Sequence, residues 1–306
     1  MFHAHELPFM TFACVIVGAG PAGLTAAIYL ARFGLSACVI ADDTSRAGRI
    51  PLCRNFPGYP DGISGSDFLS RIGTQLGRYD VPRIAGRVTS IAPEAEGFRV
   101  CHGKLSVHGR TVILATGKID APPPLMPAAE HDSALHDGRL HYCPVCDANE
   151  VRGAEVVVLG TGKHGVREAE FLRCYTGKVA LLCPDGPHAC GLSGRKPGSA
   201  GITLVDGPLT GFSYRSKTLE LTTADAVLQP EHIYVALGCR QRSELAAELG
   251  ATLSGDGCIV VDAHQRSSVA GLYAAGDVVA GLDQIATAVG HAAIAATAVR
   301  NDLLCP

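Results

Sequence analysis

The sequence predicts an α/β protein made of two three-layer units with parallel sheets, the second inserted into the first. A short β-branched strand runs into a glycine turn and a helix near the start, and the same plan recurs halfway along the chain. Each plan is followed by a stretch of alternating apolar and polar residues that returns to a strand and a glycine. At 306 residues, 47% of them apolar and 18% charged, the chain is long enough for two cores of ordinary size.

The first strand is Ala13–Val17, and "GAGPAGLTAAIYLARFG" follows it from Gly18 to Gly34. Gly18 permits the tight turn, Gly20 lets a pyrophosphate approach the backbone, and Gly23 allows close helix–strand packing. Pro21 and Ala22 open the helix between them, whose first amides are free for phosphate. A glycine triplet after a buried strand and before a helix points to dinucleotide binding; a tight turn without a ligand is the plain alternative. A second strand, Ala37–Ile40, ends at Ala41-Asp42-Asp43. An acid that bonds a ribose is expected about 20 or more residues past the first glycine, which makes Asp42 or Asp43 the candidate, although Ala41 holds the more usual place.

The second start, "EVVVLGTGKHGVREAEFLRCY", repeats the spacing with Gly160, Gly162 and Gly165. Its next strand, Lys178–Cys183, ends in Pro184 and Asp185, whereas a 2′-phosphate calls for Arg or Lys at that tip. The segments from Arg87 to Gly117 and from Gly207 to Gly238 alternate like small antiparallel insertions. A turn-rich strand pair and an alanine-rich helix close the chain. The expected architecture is two Rossmann-like units: a discontinuous one over residues 1–118 and 236–306, and an inserted one over 119–235.

A formal charge of -3 with dispersed Lys and Arg gives no footprint for nucleic acid. The apolar runs are cut by Gly, Pro or charge well short of the roughly 18 residues that span a bilayer, so no membrane segment is expected. The start lacks a basic leader region and a clean cleavage site and reads as mature, cytoplasmic protein. Twelve cysteines are present, but only Cys143 and Cys146 form a close C-x-x-C pair; most others are expected to be buried, reduced apolar residues. Thirty-six glycines and no Trp suit a backbone that comes close to large flat ligands.

The motifs "GAGPAG" (18–23), "RNFPG" (54–58), "ILATG" (113–117), "CPVCD" (143–147) and "LYAAGDV" (272–278) occur in this order. That set resembles the low-molecular-weight thioredoxin reductases and their flavoprotein relatives over essentially the whole chain. The resemblance implies that Gly18, Gly20 and Gly23, with Pro21 and Ala22 between them, cradle FAD. It implies that Asp277, after Gly276, bonds the ribityl chain. It implies too that Gln284 and Ile285, after Asp283 at a helix start, meet the flavin pyrimidine edge, where a helix N-terminus favours negative charge on a reduced flavin. Asn55 and Ala115-Thr116-Gly117 fall in the other matching segments and are taken as cofactor-binding. A homodimer and a thioredoxin-like protein or small disulfide or dithiol as partner are implied in the same way.

For the cysteine pair itself, three chemistries compete. A structural zinc needs four ligands, and beside His141, Cys143 and Cys146 no second C-x-x-C or H-x-x-x-H supplies the rest. A static bridge suits a reducing cytoplasm poorly. A redox-active pair is the reading kept: if the segment begins a helix, Cys143 sits where dipole and free amides favour a thiolate. By resemblance Cys146 faces the flavin, Cys143 attacks the substrate disulfide, and Asp147 moves protons to and from the leaving thiolate. A solvated first-turn carboxylate is the alternative for Asp147. His141 and His164 match no catalytic position and are taken as surface or packing residues.

The chain departs from the family at its second glycine turn. NADPH-fed members carry a Gly-Gly-Gly-x-Ser-Ala-type turn and an Arg pair at the next strand tip; here the turn is "GTGKHGVREA" and the tip "CPDG". Lys163 and Arg167 are the remaining nearby cations. NAD(P)H use is therefore doubtful. The readings that follow are NADH bonded by Asp185, independence of pyridine nucleotides with ferredoxin or a second flavin as the source, and dithiol oxidation with electrons passed through FAD to oxygen. An NAD(P)H-dependent thioredoxin reductase and a non-catalytic flavin-binding redox sensor remain as alternatives.

Overall fold

The computed structural model describes residues 11–42, 44–186, 201–205 and 207–304, so Asp43 lies outside the described residues. In chain order the elements begin with β1 (Thr11–Val17), α1 (Pro21–Arg32), β2 (Ala37–Ala41) and α2 (Gly65–Leu76). Strands β3 (Arg83–Ala85), β4 (Val88–Glu94), β5 (Gly97–His102), β6 (Leu105–Leu114) and β7 (Lys118–Asp120) follow. Next come α3 (Ala128–His136), β8 (Leu140–His141), the single turn α4 (Pro144–Asp147), β9 (Val156–Gly160), α5 (Gly162–Leu172) and β10 (Val179–Leu182). The chain continues with β11 (Ile202–Val205), β12 (Leu209–Arg215), β13 (Thr218–Thr223), β14 (Val227–Leu228) and β15 (His232–Ala236). It ends with β16 (Cys239–Gln241), α6 (Glu244–Glu248), β17 (Leu272–Ala274) and α7 (Ile285–Leu304).

Two compact units result, one from residues 1–48, 64–119 and 240–306, the other from residues 49–63 and 120–239. The segment 49–63 thus joins the second unit, although the sequence reading keeps it in the first. Its two ends are pinned together, Cys53 and Ile63 each donating an amide to the other's carbonyl at 2.8 and 2.9 Å. Arg49 then reaches Asp132 Oδ1 at 3.3 Å, within the same unit.

In the first unit the sheet order is β3-β2-β1-β6-β5-β4, with β17 also pairing β6. Strands β3, β2, β1 and β17 run parallel to their neighbours, whereas β4, β5 and β6 form an antiparallel meander. Strand β1 is apolar from Phe12 onward because both its faces are covered there. Cys14 and Ile16 point to a cluster with Ala26, Ala27 and Leu30 of α1 and Ala292, Ala295 and Ala296 of α7. Val15 and Val17 point the other way and, together with Phe12, join a cluster with Val88, Ile91 and Val100 of the meander and Ala246 of α6. The small alanines let α1 and α7 pack closely over the sheet, which is why the last helix reads as alanine-rich rather than amphipathic.

The second unit repeats the plan with order β11-β10-β9-β15-β8 and parallel pairing throughout. Val156 and Val158 meet Val166, Ala169 and Leu172 of α5 on one face. Val157 and Leu159 meet Phe212, Leu219 and Leu221 of the β12-β13-β14 meander on the other. Of the cysteines outside the C-x-x-C pair, Cys14, Cys38, Cys53 and Cys183 are buried as expected, but Cys174 and Cys239 are exposed. Burial pushes the Cys14 thiol up to about 12, so it stays protonated and behaves as a small apolar residue.

Candidate active site

Register builds the nucleotide edge of the first unit. Val17 lies opposite both Ile40 of β2 and Leu114 of β6, and Leu114 lies opposite Ala274 of β17. Four parallel strands therefore end together, which brings Gly18, Asp42, Ala115-Thr116-Gly117 and Gly276-Asp277 to one carboxyl edge, the usual place for a ligand in such a sheet.

The turn between β1 and α1 has no room for side chains. A Cβ on Gly18, which sits at φ +110°, would stand 2.3 Å from the Ala115 carbonyl oxygen, and one on Gly23 would stand 1.8 Å from the Gly18 oxygen. Gly20 caps α1 with no side-chain hydrogen bond, Pro21 starts the helix, and the first turn carries no acidic residue. The first amides thus lack a side-chain acceptor and face an edge free of helix-borne negative charge, which suits a pyrophosphate. At the far end of the edge Gly276, at φ +81°, comes close to Ala22, to whose Cβ a side chain there would stand 3.1 Å. This build fits a dinucleotide such as FAD.

The charged residues along the edge are already paired. Asp42 accepts from Thr44 Oγ1 at 2.5 Å and lies 3.9 Å from Arg242, whose guanidinium also reaches Thr44 at 3.2 Å. Thr116 Oγ1 donates to the Arg242 carbonyl at 2.6 Å, and Arg242 returns its amide to the Gly117 carbonyl at 3.0 Å. Asp277 faces Arg46 at 3.4 Å. Gln284 stands just before α7 and accepts the Ala288 amide, Ile285 is buried as the first residue of the helix, and Asp283 pairs with Lys118 at 2.5 Å. Arg46, Lys118 and Arg242, none of them singled out from the sequence, are cations of this edge. Asn55 is exposed in the second unit, with the Cys53 sulfur 3.2 Å from its Oδ1, and shares no unit with the glycine turn.

The second glycine turn repeats the first in its packing. A Cβ on Gly165 would meet the Gly160 carbonyl carbon at 2.8 Å. The strand tip differs. Leu209 donates its amide to the Pro184 carbonyl at 2.9 Å and Asp185 bridges to Pro208, so backbone pairing pins the tip while the Asp185 side chain stays exposed. Lys163 and Arg167 are exposed on α5, and His164 pairs with Glu168 at 3.3 Å.

The cysteine pair follows directly from β8 of the same sheet. Cys143 and Cys146 are disulfide-bonded with a Cα–Cα distance of 5.3 Å, and Cys143 caps α4. That helix is a single turn, followed by a 3₁₀ turn over Ala148–Val151, so it offers less of the summed dipole than the sequence expectation for Cys143 invoked. In register, His141 of β8 lies opposite Tyr234 of β15, and the two rings stack at 4.6 Å. Asp147 accepts from the Tyr234 hydroxyl at 2.7 Å through one oxygen and meets His141 Nδ1 at 2.6 Å through the other. His141 Nε2 is 3.0 Å from His232 Nδ1, which is also 3.1 Å from the Gly138 carbonyl. His141 is 8% exposed, so of the two readings the sequence left, surface or packing, the structure keeps packing, with a hydrogen bond at each ring nitrogen added. Burial, reinforced by the charge of His141, pushes His232 down to about 4, so it is neutral near pH 7. Burial and the adjacent Asp147 drive the Tyr234 phenol up, which keeps its hydroxyl a donor.

Two glycine turns of one build, each at the carboxyl edge of a parallel sheet, and a disulfide beside a hydrogen-bonded carboxylate define a flavin-type disulfide oxidoreductase. The chain belongs to the pyridine nucleotide-disulphide oxidoreductase family, which matches residues 12–189 and 201–292, and is an FAD-dependent, thioredoxin reductase-like member. It is 29% identical over 294 residues to the thioredoxin reductase of Aquifex aeolicus, covering 89% of this chain and 87% of that protein. The thioredoxin reductase of Streptomyces coelicolor is 29% identical over 288 residues, 87% of this chain and 85% of that one. The crystal structure of thioredoxin reductase from Streptococcus pyogenes superposes with a TM-score of 0.87 at 26% identity, over 96% of this chain and 98% of that one.

Proposed function

We propose that this enzyme exchanges electrons between FAD and the Cys143–Cys146 disulfide, passes them to or from an external disulfide or dithiol, and makes poor use of NADPH. The observation that carries the first part is the disulfide followed at once by Asp147, whose carboxylate is held by two side-chain bonds of 2.6 and 2.7 Å. When bound, FAD supplies the two-electron chemistry, and the residues at the first carboxyl edge would hold it. Once the pair is reduced, Cys143 as thiolate attacks one sulfur of the substrate disulfide and breaks its S–S bond. The sulfur released leaves as a thiolate and takes a proton by way of Asp147. Cys146, deprotonated, then attacks Cys143, releases the second substrate thiolate and restores the Cys143–Cys146 bond. Two electrons and two protons leave the enzyme. The relatives bear the name thioredoxin reductase, which supports a thioredoxin-like protein or a small disulfide as substrate, and a homodimeric assembly accords with the family resemblance.

The doubt over NADPH rests on the second strand tip. Pro184 has no backbone donor, and the exposed Asp185 carboxylate repels a 2′-phosphate where an Arg fork would bind it. Loss of two charge-assisted contacts forfeits about 3 kcal/mol or more, roughly two orders of magnitude in affinity. The same carboxylate suits the free 2′-hydroxyl of NADH. Anaerobic titration of the purified holoenzyme with NADPH, NADH and dithiothreitol, read from flavin absorbance, tests both parts. Bleaching by dithiothreitol with a weak response to NADPH is the expected result, and Asp185→Arg should improve NADPH use. Stoichiometric bleaching by micromolar NADPH defeats the nucleotide reading; no response to dithiothreitol defeats the disulfide reading.

A further inference from the structure

The tips of β2, β1 and β6 stand side by side, in that order, at the carboxyl edge of the first unit. A dinucleotide with its pyrophosphate at the β1 glycine turn therefore lays one half over β2 and the other over β6 and β17. The β2 side is the adenosine side, because the acid that bonds that ribose follows β2, here Asp42. Arg242 crosses between the two sides. Its backbone is fixed at the β6 tip, where its amide donates to the Gly117 carbonyl at 3.0 Å and its carbonyl accepts from Thr116 Oγ1 at 2.6 Å. Its guanidinium ends beyond β2, with Nη1 and Nη2 donating to Thr44 Oγ1 at 3.3 and 3.2 Å and Nη1 lying 3.9 Å from Asp42 Oδ1. Neighbouring strands lie about 4.8 Å apart, so the residue spans roughly 10 Å, past the tip of β1 that carries the glycine turn.

This strap is poorly anchored at its far end. Among the described residues no acceptor lies within 3.2 Å of the two Nη atoms, and Nε is buried with no partner. Thr44 Oγ1 gives its own proton to Asp42 at 2.5 Å, so a single hydroxyl oxygen serves both Nη groups. A guanidinium carries five donors and keeps its charge at every ordinary pH, and a buried donor left unpaired is costly. An anion beside β1 satisfies that head better than Thr44 does, and the first turn of α1 brings no acidic side chain to repel it.

We propose that Arg242 clamps the adenosine diphosphate half of FAD by closing its guanidinium on the pyrophosphate, and so makes the site favour FAD over flavin mononucleotide, FMN. This rests on the reading that the first carboxyl edge holds FAD. The contact is charge-assisted, and a planar fork suits phosphate oxygens. Asp42 keeps the Thr44 hydroxyl when the guanidinium turns away from it.

The test follows FAD release after dilution of the holoenzyme, read as the rise of flavin fluorescence at low and high salt, for wild type, Arg242→Gln and Gly23→Ala. Arg242→Gln keeps a donor for Thr44 but no charge. It should release FAD roughly 10- to 100-fold faster at low salt. Salt speeds release from wild type by screening the contact and should have much less effect on the variant. In holoenzyme held with excess FMN, the bound flavin should shift toward FMN in the variant by a similar factor, and Arg242→Lys, which restores charge without the fork, should recover part of each effect. Wild-type release, salt response and FMN exchange in Arg242→Gln overturn the clamp. Faster release with a wild-type salt response and an unchanged ratio of bound FAD to FMN overturns it as well, since a strap that only braces the tips behaves so. If Gly23→Ala also holds FAD as wild type does, the reading of the edge as the FAD site falls too; if Gly23→Ala loses FAD, the edge stands without the clamp. Should Arg242→Gln not fold, arginine modification of the wild-type protein by phenylglyoxal decides, read residue by residue by mass spectrometry. With 23% of its side chain exposed, Arg242 should react once FAD has left and be protected while FAD is bound, and equal reactivity in both states overturns the proposal.

Discussion

Gly23→Ala is the sharpest test of the proposal that the first unit's glycine turn holds FAD. The new Cβ would stand 1.8 Å from the Gly18 carbonyl oxygen and 2.9 Å from its carbon, both backbone atoms that cannot rotate away. Non-bonded atoms rest about 3.5 Å apart, so α1 must retreat by roughly 1.7 Å or the turn must reopen. The Ala115 Cβ, already 3.4 Å from the added atom, narrows the directions of escape. A shift of that size takes the first-turn amides out of hydrogen-bond range of a pyrophosphate. Two such bonds to a charged group are together worth about 3 to 6 kcal/mol, roughly 10² to 10⁴ in affinity. The assay is FAD content after purification with added cofactor, alongside far-ultraviolet circular dichroism to separate loss of cofactor from loss of fold. Gly34→Ala is the control: its φ of +74° strains alanine by about 1–2 kcal/mol, but open space surrounds it and FAD should remain. A Gly23→Ala protein with a full complement of FAD and the wild-type melting temperature would refute the packing account.

Two further outcomes are expected. Cys143→Ser and Cys146→Ser should each abolish disulfide exchange while FAD stays bound, because on the proposed reading the thiols carry electrons and the glycine edge holds the cofactor; exchange retained by either variant would reduce the pair to a structural bridge. His232 is buried neutral at about 4 against an ordinary 6.5, so between those values the unfolded chain binds the extra proton. Its contribution is intact above about pH 6.5 and is lost as pH falls toward 4, and His232→Phe should flatten that part of a stability-versus-pH curve measured with urea.

Much of the fold was legible because its signals are local. The valine runs at β1 and β9 and the glycine spacings after them are contiguous, and two buried faces leave no other reading for such runs. The hydrogen-bonded site around Asp147 was not legible, since it depends on register. His141 meets Tyr234 only because β8 pairs in parallel with β15 across 93 positions of sequence, and His232 reaches the same ring from two residues earlier on that strand. A polar pair at alternate positions in the apolar strand "HIYVA" was the available clue, for such residues share a face. The place of segment 49–63 was not legible for a similar reason: its ties to the second unit run through Arg49 and Asp132, which no periodicity relates.

The two glycine turns also show why a fingerprint is a poor guide to the ligand it serves. At both, the third glycine lies under the helix against the backbone of the first, where a Cβ would stand 1.8 Å from the Gly18 oxygen or 2.8 Å from the Gly160 carbon. That requirement comes from the approach of helix to strand and persists whatever the edge binds. Ligand choice lies with side chains a strand away. At the first edge Arg46, Lys118 and Arg242 balance Asp277, Asp283 and Asp42. At the second, the tip presents Asp185 with its backbone pinned to Pro208, and the nearest helix offers Lys163 and Arg167 on its exposed side. Gly165→Ala should therefore disturb the second unit's packing while FAD stays in the first, whereas Asp185→Arg should change nucleotide preference and leave packing alone. If instead Asp185→Arg lowered the melting temperature as much as Gly165→Ala, the tip would be part of the core's support, and the separation of packing from recognition would be wrong.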